Sequence, residues 1–246
     1  MSFDNKVVLV TGGSSGIGLA IAKVFSDQGA QLVITGRKQD RLDEAVAVLG
    51  SNVVAIKADV ADLNELAGLF DQIKALHGRI DILVANAGVG QISPLGSITE
   101  EGFDLAFNTN VKGVTFTVQG ALPLMGQGGS VVIIGSTASM NPGGGLSVYG
   151  ATKAALRSLV RSWILDIKGS GVRINLLSPG PVDTDSLRNM LGADADAIYG
   201  FLNEKSTLGR IGQADEIGKA VAFLAGNDSS YINGVELFAD GGASQV

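Results

Sequence analysis

Short apolar runs alternate with longer amphipathic stretches along the whole of this 246-residue chain. The apolar runs are rich in β-branched residues and nearly uninterrupted by polar ones, which is typical of parallel strands covered on both faces. These strand-like runs begin at Lys6, Gln31, Asn52, Asp81, Ser130, Val172 and Gly234. Helices are predicted over residues 16–29, 40–48, 62–76, 100–107, 111–125, 148–168 and 213–225. The alternation predicts an α/β fold with a doubly wound, seven-stranded parallel sheet and helices on both faces.

Composition limits the chain to a few classes of protein. With 46% hydrophobic residues, it can form one large domain with a well-buried core. A net charge of −6 argues against general binding to nucleic acid or to an anionic membrane surface. There is no cysteine and only one histidine, so no disulfide, cysteine nucleophile or metal site is predicted. Without a signal-peptide pattern or an apolar run long enough for a bilayer, the expected location is the cytoplasm.

A glycine-rich turn, TGGSSGIG at residues 11–18, follows the first predicted strand and opens the first predicted helix. Glycine permits a tight turn and close approach of the backbone, and the helix N-terminus offers free N–H groups to a pyrophosphate. The glycine spacing is wider than in the usual GxGxxG fingerprint, and the alternative is a plain strand–helix turn. In an α/β chain this turn predicts a dinucleotide-binding Rossmann fold. The predicted contacts of the loop are Gly12, Ser14, Ser15, Gly16, Ile17 and Gly18.

The end of the second predicted strand, VITGRKQDR, indicates which dinucleotide binds. NAD-binding folds commonly place an acidic residue there, about 20 residues after the glycines, to accept from the ribose 2′-hydroxyl. Here Gly36 occupies that position, and Arg37 and Lys38 follow it. A guanidinium can pair with a 2′-phosphate, which a carboxylate would repel, and Ser14 could add a hydroxyl donor. The pattern favours NADP(H) over NAD(H); the alternative is that both cations are ordinary solvated charges.

The segment YGATK places Tyr149 and Lys153 on one face of the predicted helix 148–168. Tyrosine is a poor acid, with a reference pKa of about 10, but a neighbouring ammonium stabilises the phenolate and lowers that pKa. Such a tyrosine can exchange a proton with an alcohol or carbonyl oxygen. Ser136, after the fifth predicted strand, could hydrogen-bond the same oxygen, and Asn110 could hold a water near Lys153. The alternative is two unrelated residues on an amphipathic helix.

Taken in order, these motifs resemble those of the short-chain dehydrogenase/reductase family along essentially the whole chain. The matching segments are TGGSSGIG, Asp59-Val60, NAG at 86–88, NVKG at 110–113, GSTAS at 135–139, YGATK at 149–153, SPGPVDT at 178–184, LGRIG at 208–212 and FLAGNDSSYINGVELFADGG at 223–242. The separation of Ser136 and Tyr149 also fits the family pattern. The resemblance implies a Rossmann-fold oxidoreductase that uses a nicotinamide dinucleotide.

The resemblance also implies a role for particular residues. The implied catalytic tetrad consists of Asn110, Ser136, Tyr149 and Lys153. Lys153 would also bind the nicotinamide ribose, Asp59 would bind the adenine amino group, and Val60 would make a nearby backbone contact. The other implied cofactor contacts are Asn86, Ala87, Gly88, Pro179, Gly180, Val182 and Thr184.

Within the family, the chain looks most like NADP-preferring bacterial secondary-alcohol dehydrogenases and carbonyl reductases, which implies a small apolar carbonyl or alcohol substrate. Departures from the family pattern at Ala85, Gly150, Thr207 and Ala214 leave every implied catalytic group in place. One alternative is a 3-oxoacyl-carrier-protein reductase, although docking an acidic carrier protein favours a basic rim and this chain is acidic overall. Others are a sugar or other alcohol dehydrogenase, and a dinucleotide-sensing protein that has lost the chemistry.

Residues 179–212 read as one long irregular region, and a loop of that length in a compact domain is usually functional. Its apolar residues, among them Met190, Tyr199 and Phe201, predict a mobile substrate lid at about 181–212. The alternative is a helical hairpin that packs permanently against the core.

A homotetramer is also implied by the family resemblance. The predicted helices 111–125 and 148–168 would form one interface, and the C-terminal segment another. Their apolar residues, including Phe116, Leu159 and Trp163, exceed what one sheet face can cover.

Overall fold

A parallel sheet forms the centre of the computed structural model, which describes residues 2–192 and 195–246. The strands are β1 (Val7–Thr11), β2 (Gln31–Gly36), β3 (Val53–Lys57), β4 (Ile82–Ala85), β5 (Ser130–Ile134), β6 (Arg173–Pro179), β7 (Val182–Asp183), β8 (Gly212–Gln213) and β9 (Glu236–Ala239). The main sheet has seven strands in the order β3-β2-β1-β4-β5-β6-β9, and every neighbouring pair is parallel. β7 and β8 pair separately. This topology confirms the predicted single-domain α/β Rossmann fold.

Helices cover both faces of the sheet. They are α1 (Gly16–Asp27), α2 (Gln39–Leu49), α3 (Leu63–His77), α4 (Glu100–Phe107), α5 (Val114–Ala121), α6 (Ser147–Asp166), α7 (Asp185–Leu191), α8 (Ala195–Lys205) and α9 (Ala214–Ala225). Among the helices that the structure describes, none combines the length and the apolar character needed to cross a bilayer.

Side chains that alternate along β1 enter two hydrophobic cores, one on each face of the sheet. Val8 and Val10 pack in the core under α1, α2 and α9, whereas Leu9 packs in the core under α3, α5 and α6. All three side chains are fully buried, and burial of each contributes about 1.5–3 kcal/mol. Because both faces are apolar, polar functional groups collect at the carboxyl ends of the strands, where ligands bind in open α/β sheets.

The sequence predicts that the helix beginning at Glu100 ends at Phe107, and this prediction is wrong. The helix continues through a π-helical turn, Asn108–Gly113, directly into α5. Single π-helical turns occur frequently at functional sites, because they change where the side chains of a helix point. This one carries Asn110, which is fully buried.

The prediction of an irregular region at 179–212 is wrong. The segment contains the short strands β7 and β8 and the helices α7 and α8. The Thr184 hydroxyl caps α7 by accepting a hydrogen bond from the Leu187 N–H at 3.2 Å. That helix is too short to show a clear apolar period, which is why pattern reading missed it. Within the predicted lid, Ala193 and Asp194 lie outside the described residues.

Candidate active site

The glycine-rich turn between β1 and α1 adopts a backbone that other residues rarely reach. Gly12 and Gly16 have φ angles of +65° and +52°. A Cβ on Gly18 would collide with the carbonyl oxygen of Gly12, so the helix can pack this closely on the turn only with glycine there. The side chain of Ser15, the N-cap, makes no capping hydrogen bond in this described segment. The first N–H groups of α1 are therefore available to an anion.

The NAG segment after β4 forms hydrogen bonds with the start of the glycine-rich turn. The Asn86 side-chain amide donates hydrogen bonds to the carbonyl oxygens of Thr11, at 2.9 Å, and Gly12, at 3.2 Å. The backbone N–H groups of Asn86 and Ala87 both donate to the Thr11 hydroxyl at 3.1 Å. Sequence reasoning missed Thr11, although a polar residue that ends an otherwise apolar strand is a detectable signal.

At the end of β2, Arg37 and Lys38 are exposed to solvent. A Cβ on Gly36 would lie 3.0 Å from the Ser14 hydroxyl, so Ser14 lies beside the start of this basic segment. After the neighbouring strand β3, the Asp59 carboxylate accepts a hydrogen bond from the Ala61 N–H at 2.9 Å. The Ala58 N–H donates to the Gly36 carbonyl at 3.1 Å, which holds the segment before Asp59 beside the start of the basic segment.

Val60 packs against the π-helical turn that carries Asn110. A Cβ on Gly113 would lie 2.9 Å from a Val60 methyl group, so Val60 packs directly on this turn. The Asn110 side chain accepts from the Val89 N–H at 2.8 Å and donates to the Val89 carbonyl at 2.9 Å and to the Thr152 hydroxyl at 3.0 Å. These bonds engage most of the side-chain amide and hold Asn110 between Val89 and Thr152. The predicted role of Asn110 in holding a water near Lys153 stays a prediction.

Tyr149 and Lys153 lie one turn apart on α6, as predicted. The Lys153 side chain is buried, and its Nζ lies 5.8 Å from the centre of the Tyr149 ring. That ammonium donates to the Ile134 carbonyl at the end of β5, at 2.8 Å. Burial lowers the pKa of Lys153 to about 8, because desolvation penalises its charged form. Gly88 lies beside the same ammonium, since a Cβ on Gly88 would be 3.5 Å from Lys153 Nζ.

The pKa of Tyr149 shifts in the direction opposite to the one the sequence predicts. Burial of the phenol raises its pKa above the usual value, and a hydrogen bond with Ser136 lowers it by less. The Lys153 ammonium points to the Ile134 carbonyl rather than to the phenol oxygen, so desolvation dominates. In the cofactor-free protein the Tyr149 phenol is therefore protonated at neutral pH.

The segment after β6 approaches the glycine-rich turn at Thr184. Pro179 ends β6, and a Cβ on Gly180 would lie 2.8 Å from the Asp240 side chain, so only glycine fits there. Val182 is buried. A Cβ on Gly16 would have Thr184 as its nearest neighbour, at 3.7 Å. Thr184, predicted to hold the nicotinamide end, is thus next to Gly16, predicted to hold the phosphates.

A small cavity opens beside Tyr149. Its lining combines apolar and polar side chains, which are Gln91, Ser93, Ile98, Thr99, Phe103, Ala106 and Val148. A Cβ on Gly90 would lie 3.7 Å from the Tyr149 ring and 3.8 Å from the Met190 sulfur. Met190 of the predicted lid and the ring of Tyr149 therefore both lie beside Gly90.

The buried Thr152 hydroxyl links two of these groups, because it accepts from Asn110 and donates to the Tyr149 carbonyl at 2.7 Å. We expect Thr152→Val to lower the free energy of unfolding by about 1–3 kcal/mol, because a buried amide donor loses its acceptor. Thr152→Ser keeps the hydroxyl and should restore most of that loss. Urea unfolding at pH 7 measures both.

Thr117 provides a matched control for this substitution. It is equally buried on a helix, but its hydroxyl has no hydrogen-bond partner in the described structure. Thr117→Val should therefore be neutral or stabilising. Equal losses in Thr152→Val and Thr117→Val would contradict the bridging role of Thr152.

The chain is similar over nearly its whole length to proteins of one known family. A family model described as enoyl-(acyl carrier protein) reductase matches residues 12–244. An oxidoreductase named asL5 from Sarocladium schorii is 44% identical over 243 residues, which cover 98% of this chain and 96% of that protein. A solved short-chain dehydrogenase from Burkholderia cenocepacia, in complex with NADP, superposes with a TM-score of 0.91 at 37% identity and covers 99% of both chains. The chain belongs to the short-chain dehydrogenase/reductase family.

A further relative in the short-chain dehydrogenase/reductase family is the meso-2,3-butanediol dehydrogenase of Serratia marcescens. It is 35% identical over 249 residues, which cover 99% of this chain and 96% of that protein. These similarities extend over the whole length of both proteins, so the resemblance first seen in the motifs is confirmed. The protein is an oxidoreductase of this family.

Proposed function

We propose that this oxidoreductase transfers a hydride between NADP(H) and a ketone or secondary alcohol, with Tyr149 as proton donor and acceptor. The observation that carries the proposal is the pair of Lys153 and Tyr149, an ammonium with 5% exposure beside a partly buried phenol. Burying a charge is costly, and perturbed titratable groups in a cleft are typical of catalytic sites. The pair lies next to a glycine-rich turn suited to phosphates.

The chain's own residues fit a bound dinucleotide phosphate. The glycine-rich turn with Ser14, Ser15 and Ile17 would cradle the pyrophosphate, and the exposed Arg37 and Lys38 would pair with a 2′-phosphate. The remaining proposed contacts are Asp59, Val60, Asn86, Ala87, Gly88, Pro179, Gly180, Val182 and Thr184. When bound, NADPH supplies the hydride. Tyr149 would then give its proton to the carbonyl oxygen, Ser136 would hydrogen-bond that oxygen, and Lys153 would hold the nicotinamide ribose.

The substrate in this proposal is a small, mainly apolar carbonyl compound. Ile98, Phe103 and Val148 supply apolar surface beside Tyr149, and Met190 extends it from α7. Apolar walls bind a neutral ketone better than a sugar or a carboxylate, because unpaired polar groups are costly to bury. α7 and α8 would form the lid over this cavity and exclude water during hydride transfer.

A substrate panel tests the proposed function. Ketones, aldehydes, sugars and acyl thioesters are each offered with NADPH and with NADH, and the absorbance of the reduced cofactor is followed. We expect aromatic or medium-chain ketones to exceed glucose in kcat/KM by well over about tenfold. Higher kcat/KM for an acyl thioester would favour a carrier-protein reductase, and higher kcat/KM for glucose would favour a sugar dehydrogenase. Cofactor binding without any turnover would favour a dinucleotide-sensing protein.

Cofactor preference should depend on Arg37. We expect kcat/KM to favour NADPH over NADH by at least about tenfold, which corresponds to about 1.4 kcal/mol. Arg37→Asp removes a cation and adds a carboxylate that repels the 2′-phosphate, so it should reverse the preference. The control is Arg41→Asp, which changes another exposed arginine, in the first turn of α2. Equal use of both cofactors by the unmodified protein would contradict the proposal.

A homotetramer is the proposed assembly. Phe116 on α5 and Leu165 on α6 expose 37% and 71% of their surface, and β9 is the last strand of the sheet. A groove of about 600 Å³ runs beside that strand, with Phe238 among its lining residues. An exposed edge strand and exposed apolar helix faces are typical of surfaces that other copies cover. Light scattering at micromolar concentration should give four times the chain mass of 25.1 kDa, and a monomer would refute the assembly.

A further inference from the structure

A single carboxylate, that of Glu236 on β9, lies behind the turn that carries Ser136. Its side chain is only 9% exposed, although β9 is an edge strand. One of its oxygens, Oε1, accepts hydrogen bonds from the hydroxyls of Ser178, at 2.7 Å, and Ser139, at 3.2 Å. The other, Oε2, lies 3.3 Å from the Arg157 guanidinium. A charge this buried is stable only when it is paired and hydrogen-bonded, as it is here.

The two serine partners of Glu236 hold opposite ends of the segment around Ser136. A Cβ on Gly135 would collide with the Ser178 hydroxyl, so Ser178 packs directly against the residue before Ser136. At the other end, the Ser139 N–H donates to the Ser136 carbonyl at 3.0 Å, which closes a short turn. Both ends of that turn are therefore fixed through one carboxylate oxygen.

Arg157 connects the same carboxylate to the helix of the catalytic pair. It follows Lys153 by one turn of α6 and Tyr149 by two turns, so all three lie along one side of the helix. Its guanidinium also contacts the sulfur of Met140, the residue after Ser139. The carboxylate thus ties the serine turn to the helix by a charged contact.

We infer that Glu236 is a positioning residue that sets Ser136 against Tyr149, an inference that rests on the proposed function. Glu236 makes no contact with the reacting groups in the described structure and acts through Ser139, Ser178 and Arg157. Displacement of a positioned group by about 1 Å can lower a rate by about a hundredfold. Loss of these ties should therefore reduce turnover while cofactor binding persists.

The main test compares two substitutions at this position. Glu236→Leu removes every tie and should lower kcat by about tenfold, while the KM for NADPH stays within about twofold. Glu236→Gln keeps an oxygen acceptor for the two serines and should recover most of that kcat. The matched control is Glu216→Leu, which removes a carboxylate paired with Arg210. Glu216 and Glu236 both line the groove beside β9. Glu216→Leu should lower Tm but leave kcat unchanged.

A double-mutant cycle separates positioning from general damage. If Glu236 acts through Ser136, Glu236→Leu should change kcat by less than about twofold in a Ser136→Ala background. The pH profile gives a second readout, because the Ser136 hydrogen bond lowers the pKa of Tyr149. Its loss in Glu236→Leu should raise that pKa and so shift the rising, low-pH limb of alcohol oxidation to higher pH. Additive effects on kcat together with an unshifted profile would overturn the inference.

The hydrogen bonds of Glu236 can also be tested by stability alone, without an activity assay. This test distinguishes failure of the inference about Glu236 from failure of the proposed function. Glu236→Leu and Ser139→Ala should each lower Tm, and the double variant should lose less than the sum because the two groups share one hydrogen bond. Additive losses in Tm would overturn the inference, whether or not the protein reduces ketones. Light scattering of each variant checks that its assembly is unchanged.

Discussion

Tyr149→Phe should lower kcat for ketone reduction by about two to four orders of magnitude, the usual scale for a positioned acid. The substitution removes one hydroxyl and little volume, so the fold and NADPH binding should persist. Burial raises the pKa of Tyr149, so its phenol is protonated at neutral pH and can donate to a carbonyl oxygen. In alcohol oxidation the same group must first lose that proton, so the oxidation rate should rise with pH.

Tyr231→Phe is the control for this experiment, because Tyr231 is fully exposed and far along the chain from the site. It should leave kcat unchanged. Single-turnover measurements would show whether the loss in Tyr149→Phe lies in chemistry rather than in product release. Near-normal turnover in Tyr149→Phe, with NADPH bound normally, would end the proposed mechanism.

The sheet could be predicted from the sequence because the physics that forms it is local and periodic. Runs such as VVLVT in β1 are apolar on both faces, and every such run became a strand within one or two residues of the predicted start. α7 and the π-helical turn could not be predicted in the same way. The first is held by the Thr184 cap, and the second by bonds from Asn110 to Val89, which is 21 residues away in the chain.

Residues of the candidate site were found from the sequence where their chemistry is short-range. Tyr149 and Lys153 share a helix face, so their proximity follows from helix geometry. The direction of the Tyr149 pKa shift could not be predicted from helix geometry. It depends on burial of the phenol and on the Ile134 carbonyl of β5, which accepts the hydrogen bond of the Lys153 ammonium. Glu236 is a single acid in an apolar strand, and its serine partners come from two other segments. No local pattern reports such a contact.

The buried ammonium of Lys153 leads to the second large expected effect, in which activity and stability change in opposite directions. Lys153→Met should abolish most turnover and weaken NADP(H) binding, because the ammonium would serve both the proton transfer and the nicotinamide ribose. The same substitution should stabilise the cofactor-free fold, because active sites commonly retain groups that cost stability. Lys168→Met, at an exposed position just after α6, is the control and should change neither property.

The expected stabilisation has a definite pH dependence. The pKa of Lys153 falls from 10.5 to about 8 in the folded protein, so charging this group opposes folding at pH 7. Each unit of pKa shift corresponds to about 1.4 kcal/mol of folding free energy. Lys153→Met removes this cost but also loses the hydrogen bond to the Ile134 carbonyl, which offsets part of the gain. The expected net gain in the free energy of unfolding is about 1–3 kcal/mol. Between pH 8 and 10.5 the unfolded chain binds more protons at this residue than the folded one, so the unmodified protein gains stability as pH rises. The difference between the two proteins in urea unfolding should therefore shrink from pH 7 to pH 10. The prediction is contradicted if Lys153→Met is less stable than the unmodified protein at pH 7, or if their difference in unfolding free energy does not decrease from pH 7 to pH 10. Either result would show that the buried ammonium does not destabilise the fold.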